Sequence, residues 1–278
     1  MAKVLDGKAL AAKMKEELAE KTKELSRKPG LAVILVGDNP ASRVYVTSKR
    51  KDCEECGYYS EEYTLPAETP ETDLLDLIEV LNGREEIDGI LVQLPLPKHM
   101  DEKKVLLAID PGKDVDGFHP MNVGKLVSGE EGFLPCTPSG VIELMEEYGV
   151  NPAGKHCVIL GRSNIVGKPM ALLMLRKDAT VTVCHSKTPN LTEICQSADI
   201  LIAAVGRRGL VTADMVKEGA VVIDVAINRD ENGKLCRDCD KEIYEKVSAF
   251  TPVPGGVGPM TRAVLMKNTY LAAKAHKA

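Results

Sequence analysis

Short apolar runs alternate with segments of helical period along most of this chain. LAVILVG (31–37), YYSEEYTL (58–65) and DGILVQLPLP (88–97) read as strands. DNPASRVYVTSKRKDCEECG (38–57), TDLLDLIEVLNG (72–83) and DEKKVLLAI (101–109) read as helices. The first of these helices carries its own punctuation, with Asn39 as N-cap, Pro40 at the first helical position and Gly57 at the C-terminus. A βαβαβα order predicts a parallel sheet with helices on its faces, and near-continuous apolar strands fit a sheet covered on both sides.

The pattern lapses over 110–140, which is rich in Gly and Pro and weak in periodicity, and so reads as an irregular functional connection. A second series follows: CVILG, a helix from about 168, ATVTVCHS, DILIAAVG, AVVIDVAIN and SAFTPVP. The chain closes on a glycine-rich turn and a helix, GGVGPMTRAVLMKNTYLAAKAHKA. The expected fold is α/β, with two lobes joined near residue 140. In such proteins ligands sit at the carboxyl ends of strands and in the crevice between lobes.

Composition narrows the class. In 278 residues, 44% are hydrophobic and 28% charged, as in a packed globular protein. No run approaches the roughly 18–20 apolar residues of a membrane span, and the opening has no apolar core of a signal peptide. A cytoplasmic enzyme or binding protein is expected, with no membrane partner. The net charge of −5, without a Lys/Arg run, argues against a nucleic-acid partner. The eight cysteines include Cys53/Cys56 and Cys236/Cys239, but the two pairs lie much further apart than the roughly 12–20 residues of usual zinc modules. Free, mostly buried thiols and no metal site are expected.

VILGRSNIVGKP (158–169) is the most informative local feature. A strand ending at Gly161, a turn, and a helix starting near Gly167 would present backbone N–H groups and a helix dipole to an anion. A tight strand-to-helix turn gives the same pattern, and Pro169 stands where a P-loop has Ser or Thr. The next strand ends in Cys184-His185-Ser186-Lys187, without the acid that holds a ribose 2′-hydroxyl in NAD-selective sites. Arg162, Ser186 and Lys187 suit a 2′-phosphate instead, which favours NADP. His185 alone reads as a solvated strand-end side chain.

Tyr45 and Lys49 stand i,i+4 on helix 38–57 and share one face, with Asp52 and Cys53 a turn further on. Spacing alone would leave Lys49 a surface lysine. Gln93, however, ends a run too apolar to need an amide without a partner, and Asp114 and Asp116 fall in the irregular connection. A lysine beside an amide in a water-excluding cleft can lose its proton more readily and act as an acid/base group. With a tyrosine to stack and an aspartate to hold an NH-rich edge, the set points to a planar, nitrogen-rich substrate.

PASRVYVTSKRKDCEE, DGILVQLPLP, KDVDGFHPMNVGKL, PCTPSG, GRSNIVGKP and TPVPGGVGPMT together resemble the bifunctional methylenetetrahydrofolate dehydrogenase/cyclohydrolases, in order and over nearly the whole chain. The resemblance implies a two-lobed α/β enzyme, usually a homodimer, acting on tetrahydrofolate derivatives. It would oxidise 5,10-methylenetetrahydrofolate to the methenyl form with NADP, then hydrolyse that to 10-formyltetrahydrofolate. Residues 1–139, completed by helix 259–278, would form the folate-binding catalytic domain, and 140–258 a Rossmann-like NADP-binding domain, with a deep cleft between.

The resemblance also implies roles. Lys49 would serve hydrolysis, Gln93 would tune and position it, Tyr45 would stack on the folate, and Asp116 would bind the pterin edge. Pro254, Gly255 and Gly256 would border the folate, while Gly161, Arg162, Ser163, Gly167, Ser186 and Ile227 would hold the dinucleotide. Two departures stand out. Ala226 replaces a Gly of the family's D-V-G-I-N-R, and Arg237 replaces the Gly of its G-D-V-D. Both bear on cofactor affinity and dehydrogenase rate more than on hydrolysis. The alternatives are a single-activity member of the family and, in a different class, a non-catalytic dinucleotide- or zinc-binding scaffold.

Overall fold

The computed structural model describes residues 2–225, 228–229 and 235–276. Its strands are β1 (Lys3–Val4), β2 (Gly30–Val36), β3 (Tyr59–Leu65), β4 (Gly89–Val92), β5 (His156–Leu160), β6 (Thr180–Cys184), β7 (Ile200–Ala203), β8 (Val221–Asp224), β9 (Asn228–Arg229), β10 (Leu235–Cys236) and β11 (Ala249–Phe250). Its α-helices are α1 (Gly7–Thr22), α2 (Pro40–Cys56), α3 (Glu71–Asn82), α4 (Glu102–Ala108), α5 (Pro120–Ser128), α6 (Cys136–Glu147), α7 (Gly167–Arg176), α8 (Leu191–Gln196) and α9 (Val257–Ala275). The chain divides into two compact units, one of Ala12–Leu134 with Arg262–Ala278, the other of Met1–Ala11 with Pro135–Thr261.

The unit containing residues 12–134 is built on a three-stranded parallel sheet in the order β3-β2-β4. All seven residues of the central β2 are buried, as its unbroken apolar run requires. Ile34, Ile90 and Val92 from the sheet pack with Leu74, Ile78 and Leu81 of α3 and Val105 of α4. Asn39 and Gly57 bracket α2 as its sequence dictates. Asn39 Oδ1 accepts from Ser42 N at 3.4 Å, and Gly57 adopts φ +73°, the left-handed stop that glycine takes without strain.

In the other unit six parallel strands run in the order β1-β11-β8-β7-β5-β6. Residues 3–4, which the sequence reading gives to the first domain, pair here with Ala249 and Phe250 of β11. Val158, Leu160, Leu201, Ala203 and Val222 form its core with Met215, Val216 and Ile243. The short β9 and β10 form a separate antiparallel pair.

Two expectations are corrected. The 110–140 segment is not wholly irregular: α5 fills its middle and α6 begins at Cys136. The signals for α5 are positional and were masked by the Gly/Pro content, with Pro120 at the first turn, His119 Nδ1 accepting from Met121 N at 3.1 Å, and Gly129 closing the helix at φ +84°. The strand read over 88–97 ends at Val92, because the two prolines that follow cannot donate to a ladder. Among the described residues, no helix is long and apolar enough to cross a membrane.

Candidate active site

Helix α2 brings Lys49 and Tyr45 to one face, and β4 delivers Gln93 one residue beyond its end. Gln93 is fixed through its backbone, since its N–H donates to the Ile34 carbonyl at 2.8 Å and so carries the β2–β4 register one step further. Lys49 is only 8% exposed, and its Nζ donates to Gln93 Oε1 at 3.0 Å. The Gln93 Nε2 donates to the Leu94 carbonyl at 2.8 Å, which fixes the amide so that oxygen faces the amine. A buried amine held by a neutral acceptor, with Tyr45 half-buried a turn away, can carry a proton to or from a ligand.

Asp116 lies in a run of turns beside β4, where Ile90 N donates to the Lys113 carbonyl at 2.8 Å. Asn268 of α9 donates to the Val115 carbonyl at 2.8 Å, pinning that stretch from the other side. Asp114, 2% exposed, builds the turn: its carboxylate accepts from Phe118 N, His119 N and Asn122 Nδ2 at 2.8–3.1 Å. Burial pushes the Asp114 carboxyl up to about 6, against the Asn122, His119 and Phe118 donors, which favour its ion. Asp116 itself is half-buried, two residues along. The structure thus brings Lys49 and Gln93 together and places Tyr45 and Asp116 in the same unit.

Sequence reasoning missed what surrounds Asp52. This carboxylate is 2% exposed and accepts from Lys15 Nζ of α1 at 2.7 Å and from Arg262 Nη1 of α9 at 2.8 Å. No local spacing links residues so far apart in the chain.

In the other unit, Gly161 follows β5 and its N–H donates to the Cys184 carbonyl at 2.9 Å, which sets the ends of β5 and β6 side by side. Gly161 adopts φ +116°, and a Cβ there would lie 2.3 Å from the Ala204 carbonyl oxygen. A Cβ on Gly167 would lie 2.2 Å from the Gly161 carbonyl oxygen. Both positions therefore exclude any side chain. Ser163 Oγ accepts from Val166 N at 3.1 Å and Gly167 N at 3.3 Å, closing the turn into α7. Arg162 and Ser186 are exposed at the adjoining strand ends. His185 makes a local turn, accepting from Lys187 N at 3.1 Å on Nδ1. A backbone cradle with cationic and hydroxyl side chains and no carboxylate at the end of β6 fits a phosphorylated dinucleotide.

Pro254, Gly255 and Gly256 form a loop leading into α9; Gly255 has φ +107°, and Gly256 N donates to the Pro252 carbonyl at 2.8 Å. Arg237 is not in the left-handed region. Its guanidinium bonds the Tyr244 hydroxyl and donates to the Val253 carbonyl at 3.3 Å, one residue before that loop. Ala226 and Ile227 lie outside the described residues. All eight cysteines are free thiols, buried except for the half-buried Cys236.

Comparison with known proteins agrees with this geometry. The catalytic domain of tetrahydrofolate dehydrogenase/cyclohydrolase matches residues 5–116, and the NAD(P)-binding domain of the same family matches residues 135–277. The bifunctional protein FolD of Ruminiclostridium cellulolyticum is 60% identical over 275 residues, covering 98% of this chain and 97% of that protein. The crystal structure of the bifunctional FolD methylenetetrahydrofolate dehydrogenase/cyclohydrolase from Campylobacter jejuni superposes with a TM-score of 0.97 at 53% identity, covering 99% of each chain. That of the Trypanosoma brucei dehydrogenase-cyclohydrolase, complexed with NADP and an inhibitor, gives 0.94 at 40% identity, covering 99% of this chain and 98% of that one. With both domain matches in sequence order and full-length relatives at this identity, the chain belongs to the tetrahydrofolate dehydrogenase/cyclohydrolase family.

Proposed function

We propose that this protein oxidises 5,10-methylenetetrahydrofolate with NADP and hydrolyses the resulting methenyl cation to 10-formyltetrahydrofolate, as a cytoplasmic homodimer. The observation that carries the reading is the buried Lys49–Gln93 pair, present together with a dinucleotide cradle in a chain of this family.

NADP, when bound, would supply the hydride acceptor; Gly161, Arg162, Ser163, Gly167 and Ser186 would hold it, with the charge and hydroxyl of Arg162 and Ser186 suited to the 2′-phosphate, and the family resemblance implies the same site for Ile227. Loss of hydride from the methylene carbon needs no acid or base, only alignment. Tyr45 stacks on the folate, Asp116 accepts hydrogen bonds from the pterin edge, and the Pro254–Gly256 loop adds backbone contacts. Water then adds to the methenyl carbon, one of its two C–N bonds breaks, and a formyl group remains on the other nitrogen. Water gives up one proton to Lys49 as it adds, and the resulting hydroxyl gives up the second as the C–N bond breaks and the formyl C=O forms. Lys49 delivers one of the two to the departing nitrogen and the other is released to solvent, while Gln93 orients the amine without adding charge.

The test follows both activities in one preparation. Reduced nicotinamide should appear with methylenetetrahydrofolate and NADP, and the methenyl absorbance should then decay. Lys49→Met should cut hydrolysis by about 10²- to 10⁴-fold. Unimpaired hydrolysis in that variant would remove Lys49 from the reaction.

A further inference from the structure

We infer that Asp52 is a positioning residue for the hydrolytic step: it ties the turn of α2 that carries Lys49 to α1 and α9, and counters the two cations brought there. The inference rests on the role given to Lys49 above.

Asp52 follows Lys49 by three residues, so the two stand one turn apart on the same side of α2. Its oxygens divide between two helices, Oδ1 to Lys15 at 2.7 Å and Oδ2 to Arg262 at 2.8 Å. With Asp52 3% exposed at its side chain, against 15% for Lys15 and 26% for Arg262, this is a mostly desolvated triad. Removing one member of such a group leaves charge without compensation. Lys15 also bonds Glu55, and against the cost of burial these carboxylates hold its ammonium above the usual lysine range. The same turn is anchored by Cys53 Sγ, 3.8 Å from Met266 Sδ. Further anchorage comes from Tyr58, whose hydroxyl donates to the Met266 carbonyl at 3.0 Å. A face of α2 held this firmly fixes the depth at which the Lys49 amine meets Gln93.

The charge balance has its own consequence. The charged and titratable groups around this turn include Tyr45, Asp52, Cys53, Glu54, Glu55 and Cys56 on α2, Tyr58 just after it, Lys15 on α1 and Arg262 on α9. Burial pushes the Cys53 and Cys56 thiols up to about 12, so neither adds charge near neutrality. Without Asp52, Lys15 would keep its bond to Glu55, which is more than half exposed, and Arg262 would lose the buried carboxylate that faces it. An amine in a more positive field gives up its proton at lower pH.

The experiment measures hydrolysis against pH in the full-length enzyme. Asp52→Asn should move the rising limb to lower pH by at least about half a unit and lower the plateau rate. Asp52→Glu should restore the parental limb, and Lys15→Gln, which removes a cation instead, should move it the opposite way. Dehydrogenase turnover measured alongside reports folding, and if Asp52→Asn does not fold, the Lys15→Gln arm decides. A limb that stays put in Asp52→Asn, or in Lys15→Gln, or that moves the same way in both, overturns the inference. Lys49→Met separates the two claims: if it retains hydrolysis, the role of Lys49 fails, whereas its inactivity with an unmoved Asp52→Asn limb sinks only the present inference.

Discussion

Lys49 Nζ meets Gln93 Oε1 at 3.0 Å, and the Gln93 amide is turned by its own bond to the Leu94 carbonyl. The acceptor is neutral, and its identity matters. A carboxylate at 93 would pair with the ammonium and hold the proton, while an apolar residue would take away this acceptor. Gln93→Glu should therefore displace the rising limb of hydrolysis to higher pH. Gln93→Ala should lower hydrolysis by about ten- to a hundredfold at every pH. Stopped-flow decay of methenyltetrahydrofolate over a pH series distinguishes the two.

The glycines of the dinucleotide cradle predict a different kind of loss. A methyl at Gly167 would stand 2.2 Å from a backbone oxygen, and the Gly161 turn it meets cannot recede, since its own Cβ position is blocked by Ala204. Gly167→Ala should cost on the order of 1–3 kcal/mol of stability and abolish dinucleotide binding. The isolated hydrolysis of added methenyltetrahydrofolate should survive at temperatures where the variant stays folded. Thermal denaturation and fluorescence titration with NADPH check the two halves.

These cases show which parts of the molecule local sequence exposes. Helix α2 was legible from Asn39, Pro40 and Gly57 because capping is short-range chemistry. The cradle was legible because a strand, a glycine turn and a helix follow one another directly. Helix α5 was hidden, since Gly124 and Gly129 disguise a helix whose start depends on Pro120 and on a histidine acting as cap. The Asp52 triad was hidden for a deeper reason: Lys15 and Arg262 reach it only once three helices have packed, and nothing within a turn of Asp52 announces them. The pairing of Lys49 with Gln93 stood between these extremes, suggested by an amide out of place at the end of an apolar run.

Arg162 is exposed at the end of β5, beside the end of β6 where no carboxylate stands. A guanidinium there favours a phosphate over a hydroxyl by charge-assisted bonds. Arg162→Ala should weaken NADP binding about ten- to a hundredfold and leave NAD binding nearly unchanged. Equal losses for the two cofactors, measured by titration, would remove Arg162 from the 2′-phosphate.

Arg237 stands where the family pattern has glycine, yet its backbone is unstrained and its side chain is employed. It lies over the Tyr244 ring, 5.2 Å from the centroid, and reaches the Val253 carbonyl before the Pro254–Gly256 loop. Tyr244 in turn stacks on Phe250 at 3.8 Å. Arg237→Met should keep the fold but loosen that carbonyl, lowering dehydrogenase kcat/KM by about three- to tenfold, the equivalent of one modest cation contact. Steady-state kinetics at saturating NADP read this directly.

Asp224, at the end of β8, is 3% exposed, and its Oδ1 has no hydrogen-bond partner among the described residues; Oδ2 accepts from Cys239 N at 2.9 Å. Burial pushes its carboxyl up to about 6 from 3.8, outweighing the Cys239 N–H bond that favours the ion. The folded chain therefore binds this proton more tightly than the unfolded chain does. Its contribution is most favourable below about pH 4 and is lost as pH rises to about 6, an effect of about 3 kcal/mol when complete. Asp88 works in the opposite sense but outside this window. Although burial raises it, bonds from Arg27, Gly30 N and His276 hold it below 3.8, so its contribution fades only under more acid conditions. Asp224→Asn keeps the shape and cannot ionise. It should exceed the parent in stability above pH 6, match it near pH 4, and retain the part of the slope that belongs to Asp114, also pushed up to about 6. Urea unfolding at several pH values measures the difference, and a parent and variant that run parallel from pH 4 to 7 would mean that Asp224 is already ionised throughout.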